Sequence, residues 1–173
     1  MIQFIEDSSR NYAHRTYINA ASADLTMAFA ADFNSSGELC TENAVKKANK
    51  KLVQFPMNIE EINKMLPNVI EYIKDCKTLN VAGNGLSRLC HHNITQEMSD
   101  NIVLYTLEKL KNDYGIEFET IRSGGQTGAD ESGLKAAVKI GTKEIICLCP
   151  KNWRFRDEKQ DYSDENLFKS RFL

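Results

Sequence analysis

What this chain lacks narrows what it can be. Across its 173 residues there is no apolar run long enough to span a bilayer. The first eleven residues carry acidic groups, not the basic start and apolar centre of a secretion signal. Charge of one sign is missing too: 22 Lys and Arg stand against 24 Asp and Glu, a formal net charge of −2. With no basic excess to neutralise phosphates along a duplex, nucleic acid is not the expected partner. Disulfide chemistry is poorly served. The five cysteines, Cys40, Cys76, Cys90, Cys147 and Cys149, are odd in number and scattered. Cys147 and Cys149 fall on one face of a single strand, a poor geometry for a bridge, so a reducing cytoplasm is the expected location. His14 stands alone, and the adjacent His91 and His92 diverge on any regular element. Neither has metal-ligand spacing to Cys90, so no metal and no resident cofactor are expected.

What is present reads as one domain over residues 1–173. Residues 1–15 are polar, an arm or a short strand. Leu25 to Ala30 reads as a buried strand, Thr41 to Asn49 as a helix and Leu52 to Phe55 as the next strand. Asn58, with Glu61 three positions on, caps a helix that Pro67 interrupts. Leu79 to Ala82 is a strand ending in Gly83-Asn84-Gly85, Arg88 to Asn93 a loop, and Thr95 to Gly115 a helix. Phe118 to Ile121 and Glu144 to Cys149 complete five strands alternating with helices, which gives an α/β fold around a mostly parallel sheet.

The most informative stretch is Arg122-Ser123-Gly124-Gly125-Gln126-Thr127-Gly128-Ala129-Asp130-Glu131. It follows one strand and leads into a helix-like run, Leu134 to Ile140. A strand that breaks into glycines and then opens a helix suits an anion, because close backbone approach is allowed and the N–H groups of the first turn point outward. A tight turn is the alternative, yet three glycines with Ser and Thr in the six residues 123–128 exceed what a turn requires. The stretch therefore reads as a phosphate or nucleotide loop. Three strands end in loops of Gly, Asn, Ser and Thr at the edge where open α/β sheets bind ligands.

Ser123 to Asp130, followed about twenty residues on by Cys149-Pro150-Lys151, resembles the family of putative molybdenum carriers within the SLOG superfamily of Rossmann-like nucleotide-binding proteins. The N-terminal half resembles the same family from the wrong end. Ala23 to Phe29, Ser36 to Thr41 and Lys50 to Val53 are similar to what normally follows the Cys-Pro-Lys segment, so the chain reads as circularly permuted. The resemblance covers roughly residues 22–55 and 78–156 and implies a three-layer Rossmann-like sandwich. Similar short proteins occur in bacteria and bacteriophages. Other superfamily members are phosphoribohydrolases that activate cytokinins and sensors of ADP-ribose-type signals. The domains commonly pair, so a homo-oligomer is expected.

The resemblance places Gly83, Asn84 and Gly85 at the first ligand-contacting loop, a plain turn being the alternative. Arg122 either reaches a phosphate or ends its strand in a salt bridge. Ser123, Gly124, Gly125, Gln126, Thr127 and Gly128 form the glycine loop, and Asp130 either accepts a ribose hydroxyl or complements the helix dipole. Asp32, Asn34, Ser35, Ser36 and Gly37 form the second-half loop, and Thr41 matches a position where relatives also carry Thr. Trp153 with Arg154 and Arg156 either stacks on a base or anchors the tail, the anchor being the preferred reading. The hydrolase relatives carry Gly-Thr and paired glutamates where this chain reads Gly37-Glu38-Leu39-Cys40-Thr41, with only Glu38 or Glu42 nearby as a shifted substitute. Binding or sequestering a nucleotide or ADP-ribose-like molecule is the expected function, with nucleotide N-glycoside hydrolysis as the alternative.

Overall fold

The computed structural model describes residues 1–173. Six strands, β1 (Ile2–Glu6), β2 (Leu25–Ala30), β3 (Lys51–Pro56), β4 (Thr78–Gly83), β5 (Thr120–Ser123) and β6 (Glu144–Cys149), form one sheet in the order β1-β6-β5-β4-β2-β3. Every pairing is parallel. A central parallel strand is covered on both faces and calls for a near-continuous apolar run, which β2 supplies as Leu-Thr-Met-Ala-Phe-Ala, buried at every position, with the one polar group, the Thr26 hydroxyl, accepting from Asn80 Nδ2 (3.1 Å). Parallel neighbours also need crossover connections. These are the helices α1 (Tyr12–Ala21), α2 (Ser36–Lys47), α3 (Ile59–Ile73), α4 (Leu86–His91), α5 (Gln96–Tyr114) and α6 (Ala129–Lys139).

The result is a Rossmann-like three-layer arrangement. From β4 the chain steps outward through β5 to β6, and on the other side of β4 it steps from β2 to β3. The direction reverses between β4 and β2, leaving a crevice above the C-terminal ends of those strands. Leu25 pairs with Leu79 and Met27 with Val81 across that boundary, so the two halves of the chain share one continuous sheet.

Several elements differ from their sequence-based expectations. Residues 2–6 are a sixth strand, completed only by pairing with β6. α1 is absent from the apolar periodicity because its buried residues are Arg15, Asn19 and Ala20, leaving no apolar stripe to read. α2 begins at Ser36, five residues before Thr41, because the Ser35 hydroxyl accepts the Glu38 N–H and caps it. α3 runs through Pro67 without a break: the ring faces solvent while Ile62, Leu66 and Ile73 fill the core. Residues 86–91 form α4 where a loop was expected. After β6 the tail makes an antiparallel hairpin, β7 (Arg154–Arg156) with β8 (Asp161–Ser163), and then α7 (Glu165–Ser170), whose Phe168 is fully buried. No helix is long and apolar enough to cross a membrane.

α6 reaches the sheet through Gly133, where a Cβ would lie 2.5 Å from Val81 Cβ. That close approach lets the helix sit directly over β4 and aims its first turn at the crevice. Replacing Gly133 with Ala is therefore expected to lower unfolding free energy by about 1–3 kcal/mol in urea titrations. No loss would mean that α6 is not seated this closely.

Candidate functional site

Three loops meet above the crevice, and one buried amide holds them together. The Asn84 side-chain oxygen accepts the N–H groups of Ala31 (2.9 Å) and Asp32 (3.0 Å), and its amide nitrogen donates to the Asp32 carbonyl (3.0 Å). The first loop is thereby fixed to the β2–α2 loop. The Leu86 N–H donates to the Thr127 carbonyl and the Ala129 N–H to the Asn84 carbonyl, so the first loop is also laced to the glycine stretch. Gly128 permits this, with φ +94° and no room for a Cβ against the Asn84 carbonyl. Asn84, placed by sequence as a ligand contact, is buried as the brace between loops.

The glycine stretch is similarly occupied. Its Gly128 N–H donates to Gln96 Oε1 on α5 (2.6 Å), which caps α6 from outside the helix. The Asp130 carboxylate lies against Gly124, filling the space where a Cβ would be 2.6 Å from Oδ2, and faces the N–H groups of Gln126 and Gly124. Gly125 turns inward, against Cys147 and Phe168. Ser123 donates its hydroxyl to the Val81 carbonyl (2.7 Å), and buried Arg122 donates Nε to Asn19 Oδ1 of α1 (2.9 Å). These residues build the floor of the site.

Above that floor opens a cavity of about 370 Å³, within the range of small-molecule sites. Gly83, Gly85, Gln126, Thr127 and Asp130 line it, and Gly124 and Thr41 line a small recess beside it that Tyr12, Arg15 and Asp130 share. The rest of the second-half loop stands away from the cavity lining. Ser35 caps α2, Asp32 accepts the Asn34 N–H and pairs with Arg88 (3.5 Å), and Ser36 and Gly37 begin the helix. The Thr41 hydroxyl donates to the Gly37 carbonyl.

The remaining walls come from the two ends of the chain. Arg10, Tyr12 and Arg15 enter from the β1–α1 side, and Lys151, Arg154, Phe155, Arg156 and Asp161 from the tail. The tail is held down by the glycine loop itself: Gln126 Nε2 donates to the Arg154 carbonyl (2.9 Å) and the Thr127 hydroxyl to the Arg156 carbonyl. Arg171 locks it from below, donating to the Gly125 carbonyl (2.7 Å) and to Glu131 Oε2 (2.6 Å) with its guanidinium over the Phe155 and Phe168 rings. Trp153 packs edge-on against Phe168 and near Phe4, with Lys169 over its face, and so anchors the tail. Arg10, Tyr12, Arg15 and Lys151 escaped the sequence reading because nothing in a linear pattern brings both chain ends over the crevice. The polar buried face of α1 was the available signal.

The electrostatics are unusual for carboxylates. Burial pushes Asp130 up to about 6 against the opposing pull of nearby Arg15 and the loop N–H groups. Burial, then the neighbouring charge of Asp130, pushes Glu38 up to about 7. Glu38 is 2% exposed, and its Oε2 has no hydrogen-bond partner. Desolvation and the same two carboxylates push the Tyr12 hydroxyl up to about 12. His14 pairs with Asp7 (2.9 Å) away from the cavity, and no group of three or more His, Cys, Asp or Glu side chains is placed to hold a metal.

No family model and no curated protein matches the chain. Among solved structures, an NADH-dependent reductase, A1-R′, crystallised with NAD is similar over 86% of this chain and 77% of that one. The two share 13% sequence identity, with a TM-score of 0.37.

A carboxyl group whose pKa is raised by folding is bound more tightly to its proton in the native state, so stability falls as pH rises through the interval between its unfolded and folded values. For Glu38 that interval runs from about 4.5 to about 7. Glu38→Gln is therefore expected to gain stability over the unmodified protein as pH rises through this window, by about 3 kcal/mol at pH 8. The difference should be constant below about pH 3.5. Urea unfolding at pH 4.5, 6 and 8 measures it, and a pH-independent difference would mean that Glu38 is not held in a desolvated position.

Proposed function

We propose that the protein binds a nucleotide-derived small molecule, of the ADP-ribose type, in the cavity above the β4–β2 crevice. One observation carries this reading: glycine-loop residues, Asp130 and five cationic side chains share one cavity at the strand ends where open α/β sheets take their ligands. Cations suit phosphates, and a carboxylate at the first turn of α6 suits ribose hydroxyls. The strand order also supports the resemblance to the SLOG superfamily. β4 to β6 and β2 to β3 flank a single switch point, as a permuted chain of that family requires.

Sequestration is favoured over turnover. Glu38 is sealed beneath the loops, and neither it nor Glu42 lines the cavity, so both shifted substitutes for a catalytic glutamate lack direct access. A specific observation nonetheless favours hydrolysis as the second reading. Asp130 does line the cavity, and burial raises it to about 6, which suits a general acid or base for N-glycoside cleavage.

Incubation with ribonucleotides, NAD and linear or cyclic ADP-ribose, followed by heat denaturation and mass spectrometry, separates the readings. A sequestering protein returns intact ligand from a complex tighter than micromolar, about −8 kcal/mol or better. Free base released over many turnovers establishes the hydrolase instead.

A further inference from the structure

We propose that the anion subsite of this cavity is built from the side chains of Arg15, Arg10, Lys151, Arg154 and Arg156, not from the glycine-loop backbone, and that it takes a diphosphate group. The glycine loop is the obvious anion holder in a strand–glycine–helix unit, but here it is already engaged. Gly128 N–H goes to Gln96, Ala129 N–H to the Asn84 carbonyl, and the N–H groups of Gly124 and Gln126 face the Asp130 carboxylate. That carboxylate sits where a loop-bound phosphate would approach, so a second anion there meets a negative charge across a short distance.

The cations offer the opposite. Arg15 is 6% exposed and borders both the cavity and its side recess, yet its Nε has no hydrogen-bond partner. A guanidinium nitrogen held out of water without an acceptor is costly unless a ligand completes it. Its helix gains little from burying it, since the other buried residues of α1 are Asn19 and Ala20. Five cations face two carboxylates, Asp130 and Asp161, across the cavity, a formal balance of +3 in a chain whose total is −2. One phosphate does not neutralise that surplus. A diphosphate within a nucleotide carries two to three negative charges and has oxygens on two phosphorus atoms, enough to meet cations from both the β1–α1 segment and the tail.

This inference rests on the reading that the cavity binds nucleotides, and the probe is chosen so that the two fail separately. Isothermal titration with inorganic pyrophosphate, with phosphate and with ADP-ribose is performed on the unmodified protein, on Arg15→Met and on the double variant Arg154→Ala/Arg156→Ala. Arg154 and Arg156 are exposed, so the double variant keeps its fold even if Arg15→Met does not. Pyrophosphate is expected to bind at least tenfold tighter than phosphate and to lose at least tenfold in affinity in each folded variant. Equal affinity for unmodified protein and double variant would overturn the assignment, as would equal affinity for phosphate and pyrophosphate. Binding of ADP-ribose without any binding of pyrophosphate would overturn this subsite while leaving the nucleotide reading intact.

Discussion

The site depends on the Asn84 side chain. Parallel strands end in loops whose backbone groups the sheet no longer satisfies, and above the β4–β2 boundary one amide settles the account for two of them at once. It accepts from Ala31 and Asp32 and returns a bond to the Asp32 carbonyl, while the Asn84 backbone N–H donates to the Phe29 carbonyl and its own carbonyl accepts from Ala129. Buried backbone groups left unpaired are costly. Without this brace the loop after β2 and the loop after β4 would have to find water in a recess that Glu38 and Thr41 already fill.

Charge is divided between the floor of the cavity and its walls. The floor carries the acids, Asp130 packed into the glycine stretch and Glu38 below it, and both crowd the Tyr12 hydroxyl above them. The walls carry the cations, contributed by the first helix and by the tail after β6. A ligand with anionic groups at one end and neutral polar hydroxyls at the other would satisfy both, with phosphates toward the walls and sugar toward Asp130. Arg15 stands at the junction, close enough to Asp130 to favour its ionised form and open enough to the cavity to pair with something else.

Much of this was legible in the sequence. β2, apolar at every position but Thr26, and β6 with the glycine stretch before α6 could be read directly, because local pattern and buried environment agree there. That ligand-type loops gather at the C-terminal edge of the sheet followed from three polar loops ending three strands; the switch point itself comes from the strand order. The rest required tertiary knowledge. β1 is completed only by pairing with β6, and α1 buries an arginine and an asparagine where periodicity looks for apolar residues. Gly125 and Arg122, natural candidates for ligand contact on a linear motif, turn instead to Cys147, Phe168 and Asn19, because the loop must also close the core beneath the tail. Pro67 shows the converse: a strong local breaker is tolerated where its ring faces water and its neighbours fill the core.

The central claim is that one cavity, floored by the braced loops and walled by both chain ends, is where a nucleotide-derived anion binds. Amide chemical-shift mapping with ADP-ribose as the titrant tests it most directly. The account predicts shifts confined to residues 10–16, 83–87, 124–130 and 150–161, the segments that border the cavity. Shifts centred instead on the smaller hollow at the opposite end of the sheet, around Lys111, Phe118 and Thr142, or no shifts at all at millimolar ADP-ribose, would contradict it.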